Sequence, residues 1–220
     1  MYFHAPHEPE TTLKKPQHLR IIAAALIAAG IASVASTGAR AEAPAVDISA
    51  PFSVAARLDF QIIIPGFLRF RVGTNSSTID MITFSPSAAD VGNSVPQAGT
   101  GGDAGGGSGA NVVVQANNGQ VTITESNNSV SAGLGTGTAS DGFISYAQIT
   151  TTPSVDVLLT APTLSNGGGG TSTPTLNAGK VTNRTAVWTY GYANATIPSA
   201  GTYGGVNING GRVTYTASTP

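Results

Sequence analysis

Carboxylates are the only acid–base side chains that recur along most of this chain: Asp59, Asp80, Asp90, Glu125, Asp141 and Asp156 are spread singly from residue 59 onward. A pair of them flanking a glycosidic bond would suffice for glycoside hydrolysis. Their isolation and polar or turn surroundings instead predict solvated or turn-capping roles. Asp103 and Asp141 fall in Gly-rich stretches, where calcium ligation is conceivable, but neither EF-hand spacing nor a repeated Gly-Asp pattern surrounds them. All three histidines, His4, His7 and His18, precede an apolar run that starts at Ile21, and there is no cysteine. The chain beyond that run therefore lacks the general base of most hydrolytic triads, the commonest metal ligand and every thiolate chemistry. No catalytic, cofactor or metal site is expected, and the chain reads as a non-enzyme.

Two further patterns have chemical precedent. Gly105 to Ala110, GGGSGA, has the letters of a dinucleotide fingerprint, but the β-like run that follows offers no helix N-terminus to a pyrophosphate. Trp188, Tyr190 and Tyr192 alternate on one strand, so their rings share a face. Such a row builds a core, or else a platform for stacking sugar rings. Arg69 and Arg71 alternate in the same way and are expected on a solvated face or a sheet edge.

The elements that must position these residues are strands. After residue 42 no long stretch repeats at helical spacing; short runs rich in Val, Ile, Thr and aromatics recur between Gly, Asn, Ser and Pro clusters, which is an all-β signature. Ala56 to Ile64 places Leu58, Phe60, Ile62 and Ile64 on one side with Arg57, Asp59 and Gln61 opposite, as a half-buried strand would. Phe67 to Val72 repeats the pattern after Pro65-Gly66. Further strands are predicted at Ile79 to Phe84, Phe143 to Ile149, Ser154 to Thr160, Thr185 to Tyr192, Tyr203 to Ile208 and Arg212 to Ala217. Asn118-Gly119, between two β-rich runs, predicts a two-residue hairpin. Gly-rich connectors run from Ala98 to Ala110, Ser131 to Gly142 and Ser165 to Ser172. The whole suggests an immunoglobulin-like or jelly-roll β-sandwich. Irregular loop placement and the lack of a terminal aromatic argue against an outer-membrane barrel.

Residues 21 to 36, IIAAALIAAGIASVAS, are uncharged, follow Lys14, Lys15 and Arg20, and are shorter than the ~20 residues of a spanning helix. Ala39 and Ala41 flank Arg40, placing cleavage between Ala41 and Glu42. The expected organisation is a cleaved helical signal peptide over residues 1–41 with a long n-region, an N-terminal extension over 42–55 and one sandwich over 56–220. The acidic first twelve residues are unusual for a leader, so a start at Leu13 in place of Met1 is a further expectation. Only 10% of residues are charged and the net charge is -1, which excludes the basic footprint of a nucleic-acid binder.

With this leader, the segment ARLDFQIIIPGFLRFRVG and the terminal segment AGTYGGVNINGGRVTYTASTP, the chain resembles bacterial secreted fimbrial-subunit and spore-coat-like β-sandwich proteins. The resemblance implies an immunoglobulin-like sandwich at the cell surface, built into a fibre with chaperone and usher machinery. It also implies an N-terminal extension that completes a neighbour's sheet by strand addition. Val46, Ile48, Phe52 and Val54 are the candidate donor residues, interrupted by Pro51. The chain departs from the common pilin pattern in having no cysteine pair and in ending Thr219-Pro220. The expected function is thus that of an exported structural or adhesive surface protein, located in the periplasm, at the cell surface or outside the cell. Its expected partners are further copies of itself or a periplasmic chaperone. The alternative is a secreted carbohydrate-binding module whose partner is a polysaccharide. Neither reading involves a cofactor, a nucleic acid or a transmembrane helix in the mature chain.

Overall fold

Alternation of apolar and polar residues is the force that shapes this chain, because strands with one apolar face must bury that face against another sheet. The computed structural model describes residues 46–129 and 132–220. The expected signal peptide and its cleavage residues Ala39, Ala41 and Glu42 lie outside the described residues. The chain divides between Ile63 and Ile64 into two units.

The second unit, Ile64–Pro220, is nearly all β, as expected. Its strands are β1 (Leu68–Val72), β2 (Ile82–Thr83), β3 (Gln97–Ala98), β4 (Thr100–Gly101), β5 (Gly109–Ala116), β6 (Thr122–Asn127), β7 (Leu134–Gly135), β8 (Phe143–Ile144), β9 (Ile149–Ser154), β10 (Thr171–Ser172), β11 (Thr182–Tyr192) and β12 (Val213–Ser218). One antiparallel sheet runs β1-β5-β11; β3 and β9 also pair with the C-terminal part of β11. A second sheet runs β10-β6-β12. The small pairs β2-β4 and β7-β8 complete the ladders. No helix among the described residues is long and apolar enough to cross a membrane.

The two larger sheets face one another over a single core, making a sandwich. Ala110, Val112, Val114 and Ala116 enter it from β5, and Ala186, Trp188 and Tyr190 enter it from β11. From the other side come Val121 and Ile123, with Tyr215 and Ala217 of β12 packed against them. Trp188 is the largest side chain there; it is fully buried, its Nε1–H donates to the Leu159 carbonyl at 2.8 Å, and its ring meets Tyr215 edge-on at 5.2 Å. That bond lets an indole be buried without stranding a donor.

The structure departs from the sequence reading at several elements. Asn118-Gly119 is not a hairpin: β5 belongs to the first sheet and β6 to the second, so the chain crosses between sheets there. Gly119 has φ +119 but Asn118 is not left-handed, whereas a type I′ turn needs both residues so. The crossing lets the apolar faces on both sides of the turn meet one core. Residues 203–208 and 155–160 form no strand, the run expected from Phe143 to Ile149 is broken by a single tight helical turn at Tyr146–Gln148, and β9 stops at Ser154, where a strand was expected to begin. It ends because Val155 takes φ +72, an unusual conformation for a β-branched residue, and the next turn is tied down by Asp156 and Arg184 at 2.8 Å.

Trp188→Ala is expected to lower unfolding stability by about 3–5 kcal/mol. Trp188→Phe should cost less, because it keeps an aromatic ring in the core while losing the bond to Leu159 and part of the indole's volume. Urea unfolding followed by circular dichroism measures both.

Candidate functional site

The carboxylates occupy separate structural posts. Asp80 accepts from the Thr74 backbone and hydroxyl, Asp90 from Ser87 and Asn93, and Asp141 from Thr136. Asp103 accepts from the Asn111 backbone and lies 3.7 Å from Arg71. Asp156 pairs with Arg184, whose hydrogen bond holds that carboxyl below the ordinary aspartate range, helped by the Leu158 backbone N–H. Among the described residues no three His, Cys, Asp or Glu side chains come together as a metal site. The Gly105–Gly107 stretch is followed by β5, so the fingerprint lacks the helix its chemistry requires.

The row Trp188, Tyr190 and Tyr192 faces inward, with exposures of 0%, 9% and 6%, and so has no face free for a sugar. It is the core side of β11. Around it lies a buried polar cluster. The hydroxyls of Tyr190 and Tyr215 are 3.2 Å apart, and Tyr146 donates to the Gly210 carbonyl. Burial pushes the Tyr190 hydroxyl up to about 12, and burial with the nearby Glu125 pushes Tyr146 to about 12. Glu125, opposite Tyr215 in the β6-β12 ladder, is fully buried. Its Oε1 accepts from Asn127 Nδ2 at 2.6 Å, while its Oε2 has no partner.

The N-terminal unit has the opposite character. Val46, Ile48, Phe52 and Val54 are 81%, 88%, 70% and 54% exposed. They are not a regular strand: Asp47 accepts from the Ser49 and Ser53 backbone N–H groups and folds the chain into a turn between them. Those two bonds hold the Asp47 carboxyl below its ordinary range. The more strand-like arm follows. Residues 56 to 64, expected to be a half-buried strand of the sandwich, belong to no strand, and Leu58, Phe60, Ile62 and Ile64 are 72% to 86% exposed. The sandwich therefore starts at Ile64, eight residues later than the sequence reading placed it. Within the second unit, Asn117 fixes this starting point by accepting from Phe67 N–H and donating to the Pro65 carbonyl.

β1 is an edge of the first sheet and β12 an edge of the second, and the two lie in contact. Phe70 and Val72 from β1 and Tyr215 and Ala217 from β12 pack on the core and are partly buried, whereas Ile123 and Glu125 on neighbouring β6 are fully buried. The remaining edges are poorer templates: β9 carries Pro153, which has no N–H to offer, and β10 is two residues long. Prolines and short edges discourage pairing. The long, proline-free edges are thus β1 and β12, which meet at one seam.

No family model matches the chain, and no curated protein or solved structure matches it. The seam depends on long-range pairing and has no local sequence signal. The arm was visible as an alternating run, but period-two patterning is the same whether a strand pairs within its own chain or outside it.

Glu125→Gln replaces the unpartnered acceptor with a neutral amide and should leave stability unchanged or raise it by about 1 kcal/mol. A clear loss in urea unfolding would mean that a donor meets Oε2. For Asp156→Asn, a loss of up to about 1 kcal/mol at pH 7 is expected for so partly exposed a pair. Because the folded carboxyl titrates below the unfolded value of about 3.9, this contribution is present above pH 4. It fades as pH falls through the lowered value, so parent and variant should converge in acid.

Proposed function

We propose that this chain is an exported, non-enzymatic structural protein of a bacterial surface whose copies join by β-strand addition. The observation that supports the reading is one chain carrying both elements such a joint needs: an unpaired arm with exposed apolar residues at alternate positions, and a sandwich whose two edge strands β1 and β12 meet with partly buried core residues. The arm of one copy, Ala56 to Ile64, occupies the seam of the next between β1 and β12. Nine extended residues span about 30 Å, more than the length of six-residue β12. Backbone hydrogen bonds to the edges give affinity, and alternate side chains entering the core give register. Sealing each large apolar side chain contributes about 1.5–3 kcal/mol, set against the cost of ordering the arm and fixing two bodies together.

This assigns the donor role to Leu58, Phe60, Ile62 and Ile64. The turn at Val46 to Val54, the first candidate, then serves as the tether. The leader supports export, and the resemblance to fimbrial subunits supports a surface location with a chaperone guarding the seam before assembly.

The absence of cysteine makes a direct test simple. One chain carrying Ile62→Cys and a second carrying Ala217→Cys, mixed and oxidised, should form a disulfide-linked heterodimer, while Phe60→Asp in the first chain should reduce its yield at least about tenfold, or 1.4 kcal/mol. In a single chain carrying both cysteines, a bridge that forms only within the monomer would show the arm closing its own seam and would overturn assembly.

A further inference from the structure

The end of the sandwich farthest from Ile64 carries a second feature. The registers place it: Leu68 and Ala116 lie at the arm end, while Val72, Gly109 and Thr189 lie at the other. At that far end, the β7-β8 hairpin and the turn around Asn209 enclose a cleft of about 310 Å³, lined by Asn128, Ser129, Thr138, Phe143, Asn209 and several glycines. Phe143 is 53% exposed. Its ring rests against Gly135, where a Cβ would come within 3.0 Å of it. Glycine at 135 therefore lets the ring lie against the β7 backbone with half of its surface open. Asn209 has φ +51, and its carbonyl accepts from the Gly135 N–H. Its side-chain amide has no protein partner among the described residues. Asn128 holds the Arg212 backbone N–H through Oδ1, and its Nδ2 reaches Asn207 only at 3.4 Å. The loop between β7 and β8 is fixed by Thr136 donating to Asp141 and Tyr203 donating to the Asp141 carbonyl.

From this arrangement we infer that the cleft binds a neutral sugar ring. An open aromatic face matches the apolar C–H face of a pyranose. Amide groups that both donate and accept match neighbouring hydroxyls. Among the described residues no charged side chain lines the cleft, so a phosphate or carboxylate would be desolvated there without a counter-charge. The volume falls at the low end of the ~300–1,000 Å³ usual for small-ligand sites, which suits one or two rings. A second cleft of about 380 Å³, beside Gly105 to Gly107, Ser154 and Thr189, has no aromatic ring and lacks this match. The sugar site is independent of the strand-addition reading, because it uses no residue of the arm or the seam.

The test is saturation-transfer NMR on the full chain with methyl glycosides of glucose, galactose, mannose and N-acetylglucosamine as probes. At least one should bind, and both Phe143→Ala and Asn209→Gly should weaken it at least about tenfold. Asn209→Gly removes the amide while keeping a residue that accepts the left-handed backbone at 209, so its thermal unfolding should stay close to the parent's and separates lost binding from lost fold. Absence of binding by every glycoside at millimolar concentration would overturn the proposal, as would binding that survives in both folded variants.

Discussion

Backbone N–H and C=O groups at a sheet edge must find partners in water, in side chains or in another strand, and an edge that borders an apolar core is where this demand is sharpest. In this sandwich it concentrates at β1 and β12. The first sheet is deep because β11 is eleven residues long and pairs on both sides. The second is shallow, with three strands. The two sheets meet along the seam of β1 and β12, where Phe70, Val72, Tyr215 and Ala217 are partly buried against the core. On the strand-addition reading we propose, a strand laid along these edges would extend the sheet and complete that cover, and the exposed run from Leu58 to Ile64 has the alternation for it.

The core meets its own demands without disulfides. Trp188 is the largest side chain in the core between the sheets, and its indole N–H is satisfied by Leu159. The tyrosine hydroxyls find each other or a carbonyl. Among the described residues the exceptions are the Thr182 hydroxyl and Glu125, whose Oε2 is unmatched at a fully buried position directly opposite Tyr215. Tyr215 belongs to the seam strand. A polar group that is incompletely satisfied beside an incompletely covered strand makes this side of the core its weaker side, since unpaired buried acceptors cost about 1–3 kcal/mol each.

Much of the fold could be read from the residues because period-two patterning reports which face of a strand is apolar. Phe70 and Val72 turn inward and Arg69 outward, as their alternation predicts. The inward row from Ala186 to Tyr192 is equally plain, and its burial excludes the glycan platform. Alternation does not report what a strand pairs with. This is why Ala56 to Ile64 looked like a strand of the sandwich, and why Asn118-Gly119, a sound turn signal, was assigned to a hairpin when it links two sheets. The sugar cleft was illegible for another reason. Asn128, Phe143 and Asn209 are far apart in sequence, and only the closing of short loops over glycine backbones brings them together.

The titration chemistry of the chain limits how such a joint could be controlled. From residue 46 onward there is no histidine and no cysteine, so no side chain has an unperturbed pKa between about 5 and 8. The shifts that do occur move outward: Asp47 and Asp156 titrate lower than usual, and Tyr146 and Tyr190 rise to about 12. None of these groups changes charge between about pH 5 and 8. If the chain is exported and joins by strand addition as we propose, neither a proton nor a thiol serves as trigger, and control of that joint falls to access: whatever covers the arm or the seam first would decide whether one copy joins another.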